Sequence, residues 1–144
     1  MPLIIRSPER PQEWRDYFEL RWKILRQPWQ QPRGSEKDEL EDSSIHRIAL
    51  YKNRLVAVAR MHFTDEAKAQ IRYMAVDADF RHRGIGVKLL ASLELAAKQN
   101  NIGHIELNAR EGAVKFYQSR HYIVIKPADT LFNQIKHFKM EKKL

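Results

Sequence analysis

The chain has 144 residues, 31% of them charged and 43% hydrophobic, enough to bury one core and too ordinary a balance for a disordered or fibrous protein. It contains no cysteine, so disulfides, thiolate metal sites and a cysteine nucleophile are excluded. The formal charge of +8 suits an anionic ligand or a nucleic acid, but positive residues are spread along the chain with no basic block to mark a polyanion-binding tail.

Leu3-Ile4-Ile5 reads as a short opening strand. This apolar run is far too short for a signal peptide or a membrane span, so a cytoplasmic protein is expected. Pro11 suits the first turn of a helix. Trp14, Tyr17, Phe18, Arg21, Ile24 and Leu25 follow at helical spacing and make an aromatic and aliphatic face. Arg21 interrupts that face, either as a snorkelling arginine at the core's edge or as a residue beside a substrate cleft. The stretch 27–34, QPWQQPRG, ends the helix and resists regular structure. Residues 35–44 are strongly acidic, with Glu36, Asp38, Glu39, Glu41 and Asp42. Such a long connection is a solvated excursion or a binding loop, and acids in a binding loop would draw in an ammonium group.

Residues 46–51 alternate like a strand, 52–54 make a turn, 55–63 form a second strand and 64–68 a second turn. With 70–76 they predict an antiparallel meander. Asp77-Ala78-Asp79-Phe80 is a polar break. Arg81-His82-Arg83-Gly84-Ile85-Gly86 then runs into a helix whose Ile85, Leu89, Leu90, Leu93, Ala96 and Ala97 share one face. Asn100-Asn101-Ile102-Gly103 stops it, with Gly103 as the expected terminator. The strand at 104–109 follows by a crossover that predicts parallel pairing with 70–76. A short helix at 112–119 and strands at 122–125 and 135–140, joined through 127–130, complete the chain. The expected fold class is α/β: one domain, 1–144, with a mostly antiparallel sheet of six or seven strands and helices on both faces.

The segment 81–86 has a physical use. The first N–H groups of a helix lack intrahelical partners and carry the positive end of the macrodipole. Glycines let an anion approach those groups, and Arg81 and Arg83 add charge, so the segment suits a phosphate or pyrophosphate.

Arg81-x-x-Gly84-x-Gly86 between a strand and a helix resembles the acyl-CoA signature of the GCN5-related N-acetyltransferases (GNAT). The resemblance implies a sheet splayed near its centre, with acetyl-CoA as co-substrate. Amides across Arg81, His82, Arg83, Gly84, Ile85 and Gly86 would hold the pyrophosphate. The strand at Met74, Ala75 and Val76 would pair with pantetheine, and a Met74 or Val76 amide would polarise the thioester carbonyl. Lys88 stays open as a further phosphate ligand. Asn108 at a strand end, followed by Ala113-x-x-Phe116-Tyr117, matches the family's second element. There Asn108 and Phe116 would line the cofactor, and Tyr117 would protonate the departing thiolate.

Tyr117-Gln118-Ser119, Ile135-x-His137-x-x-Met140 and Leu20-Arg21-x-x-Ile24-Leu25 are similar to small bacterial members of the ElaA type. His121 departs from the family, which usually has glycine there. The general base is left among Glu106, His62, His137, Glu111 and a water chain. His82, His104 and His121 show no paired ligand spacing, and no metal is expected. The expected activity is acetyl transfer from acetyl-CoA to a primary amine of a small molecule or peptide, directly in a ternary complex. A CoA-binding sensor without catalysis and a basic nucleic-acid-binding domain are the alternatives. Neither nucleic acid nor membrane is an expected partner, and the C-terminal strand edge suits a homodimer.

Overall fold

The computed structural model describes residues 2–65 and 67–144. Its strands are β1 (Leu3–Arg6), β2 (Ile45–Tyr51), β3 (Arg54–Asp65), β4 (Lys68–Val76), β5 (His104–Arg110), β6 (Ile123–Pro127) and β7 (His137–Lys143). The helices are α1 (Pro11–Leu25), α2 (Ile85–Gln99) and α3 (Val114–Ser119). The strands form one sheet in the order β1-β2-β3-β4-β5-β7-β6, antiparallel throughout except for the parallel pair β4 and β5. The expected meander is present. Its first turn places both Lys52 and Asn53 at positive φ, the conformation that matches a two-residue hairpin to strand twist. The second turn is tighter than 64–68, since β3 reaches Asp65 and β4 starts at Lys68; Glu66 lies outside the described residues.

Two apolar layers flank the sheet. The α2 face expected from spacing is buried as a whole, Leu89, Leu93 and Ala97 completely, against Val56, Ala57, Met61, Ile71, Ile105 and Leu107. On the other side, Tyr17, Leu20 and Leu25 of α1 pack on Ile48, Val58, Tyr73 and Ala75. Among the described residues, no helix is long and apolar enough to cross a membrane.

Several boundaries differ from expectation. The 27–34 stretch contains a short 3-10 turn, Gln27–Trp29, and Glu111–Ala113 forms another ahead of α3. The strand expected at 122–125 runs Ile123–Pro127, and the last begins at His137, so the connection between them is longer than 127–130. Gly103 is not the left-handed residue that ends α2. Asn101 is, at φ 59°, with Ile102 N–H donating to the Ala97 carbonyl (2.9 Å) and Asn101 N–H to that of Lys98 (3.1 Å). This is a Schellman closure with asparagine in glycine's place, because the short amide side chain tolerates that region.

Two irregularities position the site. Val58 pairs with Ala75 but Arg60 pairs with Arg72, so β4 carries one residue more than β3 across this interval. Tyr73 sits at this bulge with φ 62°. The extra residue resets the alternation: Ile71, Met74 and Val76 belong to the α2 side, while Tyr73 and Ala75 belong to the α1 side. Second, β4 and β5 pair only from Lys68 and His104 to Ile71 and Leu107. Beyond that, β4 follows β3 to Val76 and β5 follows β7 to Arg110, and the sheet opens between them.

Candidate active site

Two cavities meet at this opening. The larger, about 920 Å³, is lined by Met74, Ala75 and Val76 of β4, by Phe80, Arg81, His82, Gly84, Ile85 and Gly86, and by Glu111, Phe116 and Tyr117 beyond β5. The smaller, about 320 Å³, lies toward α1 and takes in Arg26, Arg72, Asn108, Arg110, Asp129 and His137. Leu25, Met74, Arg110, Ala113 and Tyr117 belong to both.

The free edge of β4 follows from strand geometry. Asp77 N–H donates to the Val56 carbonyl on β3 at 2.8 Å. Successive N–H groups along a strand point to opposite edges, so those of Val76 and Met74 face the opening. These are the two amides expected to hold pantetheine. Ala75 turns its amide to β3 and lines the larger cavity without offering that donor.

The loop before α2 is shaped by two left-handed residues, His82 at φ 63° and Gly84 at φ 78°. Gly84 is the residue preceding the first helical turn, where the backbone itself requires glycine or a strained substitute. Gly86 serves a different purpose. A Cβ there would sit 3.3 Å from the Phe116 ring and 3.5 Å from the Met74 methyl, so glycine lets α2, α3 and β4 close together at the cavity wall. Arg81 is exposed, lines the cavity and donates through Nε to the Val76 carbonyl at 3.2 Å. The Arg83 guanidinium lies 5.0 Å from the Phe80 ring centre, and Arg83 is not among the residues that line the cavity. Lys88 does not line it either. Asn108 lines the smaller cavity, not the larger one that takes in residues of the 81–86 loop.

Tyr117 is buried where the cavities join, and its hydroxyl donates to the Met74 Sδ at 3.4 Å. Burial pushes the phenol well above its ordinary range, which holds it protonated as a donor. The departure at His121 does not disturb this helix. His121 takes φ 76°, Tyr122 N–H donates to the Tyr117 carbonyl (3.0 Å) and His121 N–H to that of Gln118 (3.1 Å). Histidine therefore occupies the left-handed position that glycine would, and the helix closes normally.

Of the four side chains considered as base, His137 lines the smaller cavity and Glu111 the larger; His62 and Glu106 line neither. His62 Nδ1 lies 3.3 Å from an Arg60 nitrogen, and Glu106 is paired with Lys139. His137 is buried, and its Nδ1 donates to the Ile135 carbonyl at 3.0 Å, which leaves Nε2 with the lone pair. Burial lowers its pKa below the usual 6.5, with the Arg110 and Arg26 charges adding to that and the backbone of Ile135 and Asp129 opposing it.

The acidic loop has a role that its composition concealed. Asp38 pairs with Arg60 (2.6 Å) and Arg72 (3.0 Å), and Glu41 pairs with Arg21 and Arg60, both at 2.9 Å. Burial raises the Asp38 carboxyl, but hydrogen bonds from Arg60 and the Leu40 amide, with the Arg60 and Arg72 charges, bring it down to about 2. Arg21 neither snorkels nor borders a cleft. It is fully buried, donates to the Tyr17 hydroxyl (2.7 Å) and lies 4.2 Å from the Tyr73 ring centre. Asp38 and Glu41 therefore tie the loop to α1 and the sheet, which removes them as freely available attractors for an ammonium group. No charge pattern within the loop shows this, because the arginines come from α1, β3 and β4.

The acetyltransferase (GNAT) family profile matches residues 14–122. The chain belongs to that family. Its chemistry is accordingly acetyl-CoA-dependent acetyl transfer. It is 28% identical over 131 residues to the uncharacterized N-acetyltransferase YjcF of Bacillus subtilis (strain 168), covering 91% of this chain and 93% of that one. Its fold is similar to an aminoglycoside 6'-N-acetyltransferase complexed with coenzyme A, at TM-score 0.83 and 14% identity over 99% of this chain and 97% of the other. A GNAT acetyltransferase from Elizabethkingia anophelis with acetyl-CoA bound gives TM-score 0.74 and 17% identity, covering 99% of this chain and 98% of the other.

Proposed function

We propose that residues 1–144 form one cytoplasmic N-acetyltransferase domain that moves the acetyl group directly from acetyl-CoA to a primary amine. The carrying observation is the junction of two cavities at the β4–β5 opening, with the Tyr117 hydroxyl between them. In this reading the CoA pyrophosphate lies against the amides of 81–86, and pantetheine runs along β4 on the Met74 and Val76 amides. The larger cavity's size and the close packing at Gly86 support that placement.

The amine enters from the smaller cavity as an ammonium ion and gives a proton to His137 Nε2, directly or through one water. Its nitrogen lone pair attacks the thioester carbonyl carbon, while a β4 amide stabilises the oxyanion. The C–S bond then breaks. Tyr117 gives its phenolic proton to the departing sulfur, which leaves as a thiol, and the proton lost by the attacking nitrogen restores the phenol through water, so that the products are the amide and the thiol. Tyr117→Phe removes that donor, and kcat should fall about 10²-fold with little change in acetyl-CoA affinity. Full turnover in this variant, with chemistry rate-limiting, would remove Tyr117 from the mechanism.

We also read the three motifs shared with ElaA-type members as marking the subgroup, with no nucleic-acid partner. The exposed Ile123, Val124 and Ile125 on the sheet-edge strand β6 support a homodimer through that edge.

A further inference from the structure

The smaller cavity holds more positive charge than its walls neutralise. Arg26, Arg72 and Arg110 line it, opposed by Asp129. Arg72 has Asp38 as a partner at 3.0 Å. Among the described residues, Arg26 and Arg110 have no carboxylate within ion-pair distance. Both instead donate to one backbone oxygen, the Leu25 carbonyl at the end of α1, at 3.0 Å and 3.1 Å. Arg26 also donates to the Ser35 carbonyl at 3.0 Å.

A helix C-terminus offers roughly half a negative charge, shared here between two guanidinium groups. A purely structural tie to carbonyls would be served by a neutral donor such as glutamine. Burying an arginine that lacks a counter-ion is costly, yet Arg26 is only 7% exposed. Burial lowers both groups, and neighbouring arginine charges add to it, with Tyr73 opposing the shift at Arg26. In the proposed mechanism the cofactor does not supply that anion, because its pyrophosphate lies at 81–86 and pantetheine is uncharged. The missing charge must then arrive with the acceptor.

We infer that the acceptor is a small amino acid-like molecule whose carboxylate is bound by Arg26 and Arg110, with its amino group held toward His137 and Asp129. The cavity's volume of about 320 Å³ matches a ligand of that size. Arg110 lies directly across from His137 in the β5–β7 register, so carboxylate and base sit on one face of the sheet. Asp129 lies in no ion pair among the described residues and is available to the ammonium end. A planar guanidinium fork also suits a carboxylate better than it suits a neutral amide.

The inference rests on the acetyl-CoA reading above, and the test separates the two. CoA release would be followed with a panel of α- and ω-amino acids, each matched with its own amide, alongside aminoalkyl phosphonates and diamines. Acetyl-CoA binding would be followed independently as a rise in melting temperature. The expected result is at least a tenfold higher kcat/KM for one or more amino acids than for the matched amide. That ratio should fall toward one in Arg110→Gln and in Arg26→Gln, while the acetyl-CoA melting shift persists in Arg26→Gln, whose residue lines only the smaller of the two cavities. Amides or diamines used as well as amino acids, phosphonates used in preference to them, or a ratio untouched by both substitutions would overturn the inference. So would the absence of turnover with every amino acid while acetyl-CoA still raises the melting temperature. Loss of the acetyl-CoA shift in the parent protein would instead overturn the underlying reading and the inference together. The wild-type panel needs no variant to fold, and circular dichroism on the two variants separates a lost ratio from a lost fold.

Discussion

The two sides of the active-site opening are built by opposite strategies. On the cofactor side, a strand, a tight loop and a helix follow one another within residues 70–99, and backbone amides and glycines form most of the expected binding surface. On the side proposed for the acceptor, Arg26 comes from the end of α1, Arg72 from β4, Arg110 from β5 and His137 from the start of β7, and the loop behind them is held by ion pairs. Backbone recognition suits a constant ligand and depends on local conformation. Side-chain recognition suits a selected ligand and depends on which distant elements happen to be neighbours. The acceptor side should therefore be the more sensitive to loss of one charge, and the cofactor side to added bulk.

The largest expected effect falls on the acceptor side. Arg60 is fully buried between Asp38 and Glu41, so Arg60→Ala leaves two partly buried carboxylates short of a cation and should cost about 3–5 kcal/mol by chemical denaturation. Acetyl-CoA should still stabilise whatever fraction remains folded; loss of that effect would show that the two sides are one cooperative unit. On the cofactor side, Gly86→Trp drives a ring into Phe116 and Met74. The parent should gain about 2.7 kcal/mol at a hundredfold excess of acetyl-CoA over Kd, and the variant, if cooperatively folded, should gain none. An undiminished gain would place the cofactor elsewhere.

His137 gives the next effect. His137→Asn should lower kcat/KM about 10²-fold and remove the acid limb of its pH profile. The folded pKa lies below 6.5, so the neutral base predominates at pH 7 and activity falls as pH drops through a value below 6.5. An unchanged acid limb in the variant would assign the titration to another group. Stability follows the same sign: His46, His62 and His137 are all lowered mainly by burial, so the unfolded chain takes up these protons first. Their contribution is complete above pH 6.5 and is lost as pH falls through the folded values, which a melting series would read as a plateau from pH 8 to about 6.5 and a decline below it.

The smallest expected effect is a gain. His121→Gly relieves a left-handed residue at the end of α3 and should stabilise by about 0.5–1 kcal/mol with kcat unchanged. A drop in kcat would mean that the imidazole, or the exact aim of Tyr117, matters more than the helix closure suggests.

Much of the cofactor side was determined by the sequence alone. The buried face of α2, the meander before it and the parallel return of β5 follow from local spacing, because periodicity records which side of an element faces the core; the pairing of the glycine loop with Phe116-Tyr117 came instead from the resemblance to the GNAT family. Spacing along a loop does not say which side chains turn inward: Arg81 lines the larger cavity, whereas the Arg83 guanidinium lies 5.0 Å from the Phe80 ring centre. Only the tertiary structure decided the rest. The Tyr73 bulge reset which β4 residues face each side, and the 35–44 acids found arginines from three elements. His137 was brought opposite Arg110 by strand pairing, and Arg26 was brought beside Arg110 at the end of α1. Charge interactions act through space and carry no period along the chain, so their partners become visible only when the fold has brought them together.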